Sequence, residues 1–278
     1  MTSAALVDVH VHFMPQNVLD KVWAYFDRVR ESGVDWVIRY RTDENARLTA
    51  LRELGVSAFA PLVYPHKPGM AEWLNDWVAD FAARVPEAVP TGTFYAEPGA
   101  EAYVRKALEA GARCFKSHVQ VGAYDPRDPL LDGVWGQLAE AGVPVVVHCG
   151  DGPYPGEHTG LGVFEEVLRA HPRLTAVLAH AGMPDYSGAL DLVERYRNVH
   201  VDTTMVGVPF SEAMAPLPAD WRARVAGLAD RVVLGSDFPN IPYPYEAQID
   251  AIRSWELDAA ALQMVLHDNG ARLLQLSR

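Results

Sequence analysis

Leu131-Asp132-Gly133-Val134-Trp135-Gly136-Gln137-Leu138-Ala139-Glu140-Ala141-Gly142-Val143-Pro144-Val145-Val146-Val147-His148-Cys149 is the stretch that decides the fold. Its first half places apolar residues at 131, 134, 135 and 138, the spacing of one helix face. Gly142 follows at the place where a helix end favours a left-handed glycine. Pro144–Cys149 is then a short run that is apolar on both faces, as in a strand with helices on one side and core on the other. Helix, cap and buried strand in about twenty residues make one half-turn of an alternating α/β chain.

The same unit recurs outward in both directions. Strand-like runs are Ala5–Val11, Val56–Val63, Val89–Tyr95, Arg113–Val119, Pro144–Cys149, Leu174–His180, Val199–Thr203 and Arg231–Gly235, eight in all. Helix-like stretches lie between them at Ala71–Arg84, Ala100–Ala110, Leu131–Ala141, Leu161–Ala170, Ala189–Tyr196 and Pro218–Ala229. The tail, Leu257–Leu276, reads as one or two closing helices. Eight such units predict a parallel (β/α)8 barrel of the TIM type, distorted where the spacing is uneven. An open doubly wound sheet is the alternative, weakened because no Gly-x-Gly-x-x-Gly follows the first run. The chain reads as one domain over 1–278, with an insertion around 15–54 after the first strand that holds helices and an extended excursion at Val34–Tyr40. That insertion sits where a barrel carries substrate-covering elements.

Composition narrows the function. The 278 residues are 49% apolar and 22% charged, enough for a large core. Net charge is −12, which argues against nucleic acid or an anionic membrane as partner and for a small-molecule substrate. No run is long enough to span a bilayer, and Met1–Val11 lacks the basic start of a signal peptide. Two cysteines, Cys114 and Cys149, form no disulfide framework and suit a reducing cytoplasm, the expected location.

Five of the ten histidines fall at or just after strand ends: His10 and His12 on the first run, His118 after the fourth, His148 on the fifth and His180 on the sixth. Asp237 follows the eighth, in Gly235-Ser236-Asp237-Phe238-Pro239. In a parallel barrel all these ends open on one face. His10 and His12, two apart in a strand, point to one side and are able to grip one ion, or to be hydrogen-bonded without one. His148 or His180 alone reads as a satisfied core histidine, and Asp237 alone as a helix cap. Neutral imidazoles with one carboxylate at one barrel mouth suit a borderline divalent cation, zinc first. His66, His171, His200 and His267 lack such a setting.

The segments Val7-Asp8-Val9-His10-Val11-His12, Phe115-Lys116-Ser117-His118, Val147-His148-Cys149-Gly150, Ala179-His180-Ala181-Gly182, Leu234-Gly235-Ser236-Asp237-Phe238-Pro239 and Asn269-Gly270-Ala271-Arg272 stand in an order that resembles the amidohydrolase superfamily. The branch it resembles most is the amidohydrolase-related one that holds aminocarboxymuconate-semialdehyde decarboxylase and several lactone hydrolases. That resemblance implies a distorted barrel with one divalent metal. It implies His10, His12, His148 and Asp237 as metal ligands, with His180 and Asp237 as catalytic groups; His180 as a further ligand ranks second. Lys116 and His118 are the candidate substrate contacts, Lys116 as a cation for a carboxylate. A carbamylated Lys116 or a merely ion-paired one are its other readings. The implied activity is metal-dependent hydrolysis of a C–O or C–N bond, a small carboxylated lactone being favoured. Non-oxidative decarboxylation of a small unsaturated or aromatic acid is the alternative, and a non-catalytic metal-binding barrel the third. A homodimer is consistent with the resemblance.

Overall fold

The computed structural model describes residues 5–31, 33–152 and 154–276. Eight strands alternate with helices along the chain: β1 (Leu6–Val11), β2 (Val56–Pro61), β3 (Thr91–Thr93), β4 (Cys114–His118), β5 (Val145–His148), β6 (Ala176–Leu178), β7 (Val199–Asp202) and β8 (Val232–Val233). Helices α1 (Gln16–Glu31) and α2 (Glu44–Glu53) separate β1 from β2. Then come α3 (Ala71–Arg84), α4 (Ala100–Glu109), the single turn α5 (Val119–Gly122), α6 (Pro129–Ala141), α7 (Leu161–Ala170) and α8 (Tyr186–Arg195). A turn α9 (Pro209–Glu212), α10 (Trp221–Gly227), α11 (Tyr245–Arg253), α12 (Ala259–Gln263) and α13 (Asn269–Leu273) complete the order.

Every strand pairing is parallel. β3 to β8 form one sheet in sequence order and β1–β2 a second. Isolated bridges close both seams, Phe59 with Ala88 and Val11 with Phe238. At the second seam Val9 N–H donates to the Leu234 carbonyl at 2.9 Å and His12 N–H to that of Phe238 at 2.7 Å. The result is the distorted (β/α)8 barrel expected from the eight runs. Its axis is filled by Val9, Ala60, Cys114, Val146, Val177 and Val233, from six of the strands. A larger cluster between strands and helices makes the main core.

Local chemistry sets the boundaries. Asp43, Asp128 and Asp258 accept backbone N–H bonds at the starts of α2, α6 and α12. Gly142, at φ 63°, ends α6 in the left-handed conformation. Val34–Tyr40 is the expected excursion between α1 and α2, joined to no strand. Trp36 within it is buried, its indole N–H donating to the Asn240 carbonyl at 2.7 Å, while Arg39 N–H donates to that of Ile241 at 3.0 Å. β6 stops at Leu178, so His180 lies in a tight turn beyond the strand. The tail contains a π-helical turn, Met264–Asp268, between α12 and α13.

Candidate active site

One cavity of about 420 Å³ opens at the carboxyl ends of the strands, lined by His10, His12, Lys116, His118, His148, His180 and Asp237. β1 carries His10, and His12 follows directly on its end, after a bulge in the strand. Between the pairs Asp8–Phe59 and Val11–Pro61 its register gains a residue over β2. His10 and His12 face the cavity, while Asp8 receives the Tyr245 hydroxyl at 2.9 Å. Close packing holds β8 against them. A Cβ on Gly235 would meet Thr204 Oγ1 at 2.4 Å and His10 Cβ at 2.9 Å, so only glycine fits.

The outer nitrogens of the two histidines are tied down. His10 Nδ1–H donates to Asp202 Oδ2 at 2.8 Å and His12 Nδ1–H to the Leu62 carbonyl at 2.9 Å. With those protons placed, each Nε2 carries a lone pair toward the cavity. His12 Nε2 lies 2.9 Å from Asp237 Oδ1, and His10 Nε2 lies 3.7 Å from the same oxygen. Two acceptors that close repel unless a cation or a proton sits between them. His148 Nε2–H donates to the Gly152 carbonyl at 2.9 Å, leaving its Nδ1 bare. His180 Nδ1 is buried and has no partner.

His10, His180 and Asp237 each offer a ligand atom within 4.8 Å of the others. The structure therefore sets His180 inside the tightest donor group. His12 touches that group through Asp237, and His148 stands beside it with its ring 4.7 Å from that of His180. His118 stacks on His148 at 4.2 Å. Lys116, fully buried, places Nζ 3.0 Å from His10 Nε2, deep on the cavity floor. These residues fit a divalent cation: imidazole lone pairs of His10 and His12 converge on one carboxylate, and the Nδ1–H groups on their far sides are fixed by hydrogen bonds.

The electrostatics match. Burial pushes His148 down to about 3 and His180 down to about 4, so both are neutral at pH 7. Burial also holds His10 and His118 well below the usual histidine value. For Asp237 burial alone would raise the pKa, but its close contact with His12 and its interactions with His180 and His10 outweigh burial and keep the carboxylate ionised. Burial lowers Lys116 to about 8. Backbone conformation is unusual at two of these residues, with φ 55° at His180 and 64° at Asp237. Such values cost about 1–3 kcal/mol each and persist where surrounding structure enforces them.

Sequence reasoning missed Asp202. Its Oδ2 anchors His10, and its Oδ1 accepts the backbone N–H of His180 at 2.8 Å and of Thr204 at 3.0 Å. One carboxylate thus positions two cavity residues. The available signal was its place at the end of the seventh apolar run. Tyr64 also lines the cavity, with its ring 5.3 Å from His12 and 4.7 Å from His118.

No curated protein sequence matches the chain. Solved structures resemble it over nearly their full length. An uncharacterized TIM-barrel protein from Bordetella bronchiseptica is 19% identical, with TM-score 0.75, covering 98% of this chain and 99% of that one. The 5-carboxyvanillate decarboxylase of Sphingomonas paucimobilis is 18% identical at TM-score 0.68, with 99% and 100% covered. An amidohydrolase from Burkholderia multivorans with bound HEPES is 16% identical at TM-score 0.69, again with 99% and 100% covered. At such identities the likeness concerns the fold. The amidohydrolase family profile, in contrast, matches residues 7–276 of the sequence itself. This chain belongs to the amidohydrolase family.

Proposed function

We propose that the protein is a metal-dependent hydrolase that adds water across a C–O or C–N bond of a small substrate, a carboxylated lactone being the favoured class. The observation that carries this reading is the buried, unpartnered Nδ1 of His180 beside His10 and Asp237. His10, His12, His148 and Asp237 would hold one divalent ion, zinc by the chemistry of the donors. When bound, the ion acts as a Lewis acid and lowers the pKa of water from about 15.7 toward about 7.

The protein's own groups then divide the work. His180, neutral at pH 7, takes the proton of the attacking water at Nδ1 and returns it to the departing oxygen or nitrogen. The Asp202 bond to its backbone keeps the ring in place. Asp237 stays ionised and holds the opposite side of the site. Lys116, against His10 on the floor, offers the nearest fixed ammonium for charge developing on the substrate.

Decarboxylation of a flat unsaturated or aromatic acid is the second reading. It is favoured by the aromatic wall of Tyr25, Phe26, Trp36 and Tyr64. A decarboxylase also stands among the fold relatives. A panel of lactones, amides and aromatic acids, run with and without chelator, tests both. Acid release that stops on chelation and returns with zinc supports hydrolysis, and carbon dioxide release supports the second reading. Turnover that survives complete removal of the metal overturns both.

A further inference from the structure

The cavity has a second chemical feature, at its rim. α1 lays one stripe along the mouth. Lys21, Tyr25 and Arg28, at i, i+4 and i+7, all line the cavity. Both cations are exposed. Among the described residues no hydrogen bond or ion pair engages either side chain. Their neighbours differ: Arg30 pairs with Asp35 at 3.2 Å, and Arg41 with Asp27 at 2.9 Å. Asp27 and Asp35 are thus taken by arginines outside the cavity, while the two cations that line it form no ion pair among the described residues. Asp237, at depth, is the one carboxylate among the lining residues. A chain of net charge −12 repels anions at long range, so two unmatched cations over a largely acid-free cavity mark a local exception.

Lys116 does not perform this task. It is buried on the floor against His10, at the reacting end. A carboxylate at the outer end of a bound molecule meets α1 instead, with Tyr25 between the two cations to cover an apolar body.

We propose that Lys21 and Arg28 form an anion-anchoring rim, and that the substrate is a small acid whose carboxylate lies at the end remote from the reacting bond. The inference rests on the catalytic reading above for which end reacts. The rim sets specificity: it raises affinity for molecules with an outward anion and leaves the chemistry to the floor.

Isothermal titration of the zinc-loaded protein with isophthalate and with benzoate tests the rim. These probes share a flat ring and one carboxylate, and differ in the second. The wild type is expected to bind isophthalate about tenfold more tightly than benzoate, a gap of about 1.4 kcal/mol. In Lys21→Met/Arg28→Met the ratio should fall to within about threefold, with zinc content and melting temperature kept as proof of folding. Lys21→Glu/Arg28→Glu should weaken isophthalate further. A wild type without preference, or a preference that survives in the Met variant, overturns the rim. The catalytic reading fails separately. Discrimination by the rim with no chelator-sensitive turnover in the substrate panel sinks the chemistry alone; chelator-sensitive turnover with no discrimination sinks the rim alone.

Discussion

Two carboxylates and one imidazole divide the labour around the cavity floor. His180 holds a neutral ring with an unpartnered Nδ1, and in the proposed function its contribution is proton transfer, worth about 10²–10⁴ in rate. His180→Ala should therefore lose turnover by that factor while retaining most of its zinc by elemental analysis. Loss of the metal itself would make His180 a ligand, as its place in the tightest donor group allows. Asp202 acts at one remove, through His10 Nδ1 and the His180 backbone. Outer partners of metal-binding histidines are worth about 10–100-fold in affinity, so Asp202→Asn should weaken zinc binding by that amount in a competition titration with a chromophoric chelator. An unchanged zinc affinity would leave Asp202 a packing residue only.

Between strands, closeness is the constraint. Gly235 lets β8 approach β1 and β7, where a Cβ would press on Thr204, His10 and Asp202 together. Gly235→Ala should cost about 1–3 kcal/mol of stability, read as a lower urea midpoint, and displace His10 enough to impair zinc loading. Normal loading and midpoint in that variant would show that β8 yields easily. The strands were legible in sequence because most are short runs rich in apolar residues, as in Val145-Val146-Val147 and Ala176-Val177-Leu178, recurring between helix-like stretches. Also legible was the convergence of His10, His12, His148, His180 and Asp237, since parallel strands in a barrel end on one face. The β1 bulge was not legible. Strict alternation fits a histidine pair at i and i+2 equally well with or without an extra residue upstream, and only the pairing partner on β2 reveals it. The left-handed turn at His180 escaped for a similar reason, as Ala-His-Ala carries no local preference for positive φ and tertiary contacts impose it. Val34–Tyr40 was legible as an extended excursion, but its docking on the loop after β8 was not, because only the tertiary contacts of Trp36 and Arg39 reveal it.

Taken as a whole, the molecule buries several histidines in neutral form. Burial pushes His148 down to about 3, His180 to about 4 and His200, on β7 outside the cavity, also to about 4. An unfolded histidine titrates near 6.5. Below that pH the unfolded chain binds protons that the native one refuses, so the stability is present above about 6.5 and lost as pH falls toward 4. For His200 the loss amounts to up to about 3 kcal/mol. Urea midpoints of the metal-free protein should drop over this window, and His200→Asn should flatten part of the slope; a level profile would mean that these rings are solvated. The seam between β1 and β8 has a further consequence, one of timing. The His10 carbonyl accepts the backbone N–H of Asp237 at 2.9 Å, so the contact that shuts the cylinder is also the one that brings the two halves of the donor set together. The two parts lie at the first and last strands of the barrel, so closing the cylinder and assembling the site are a single event.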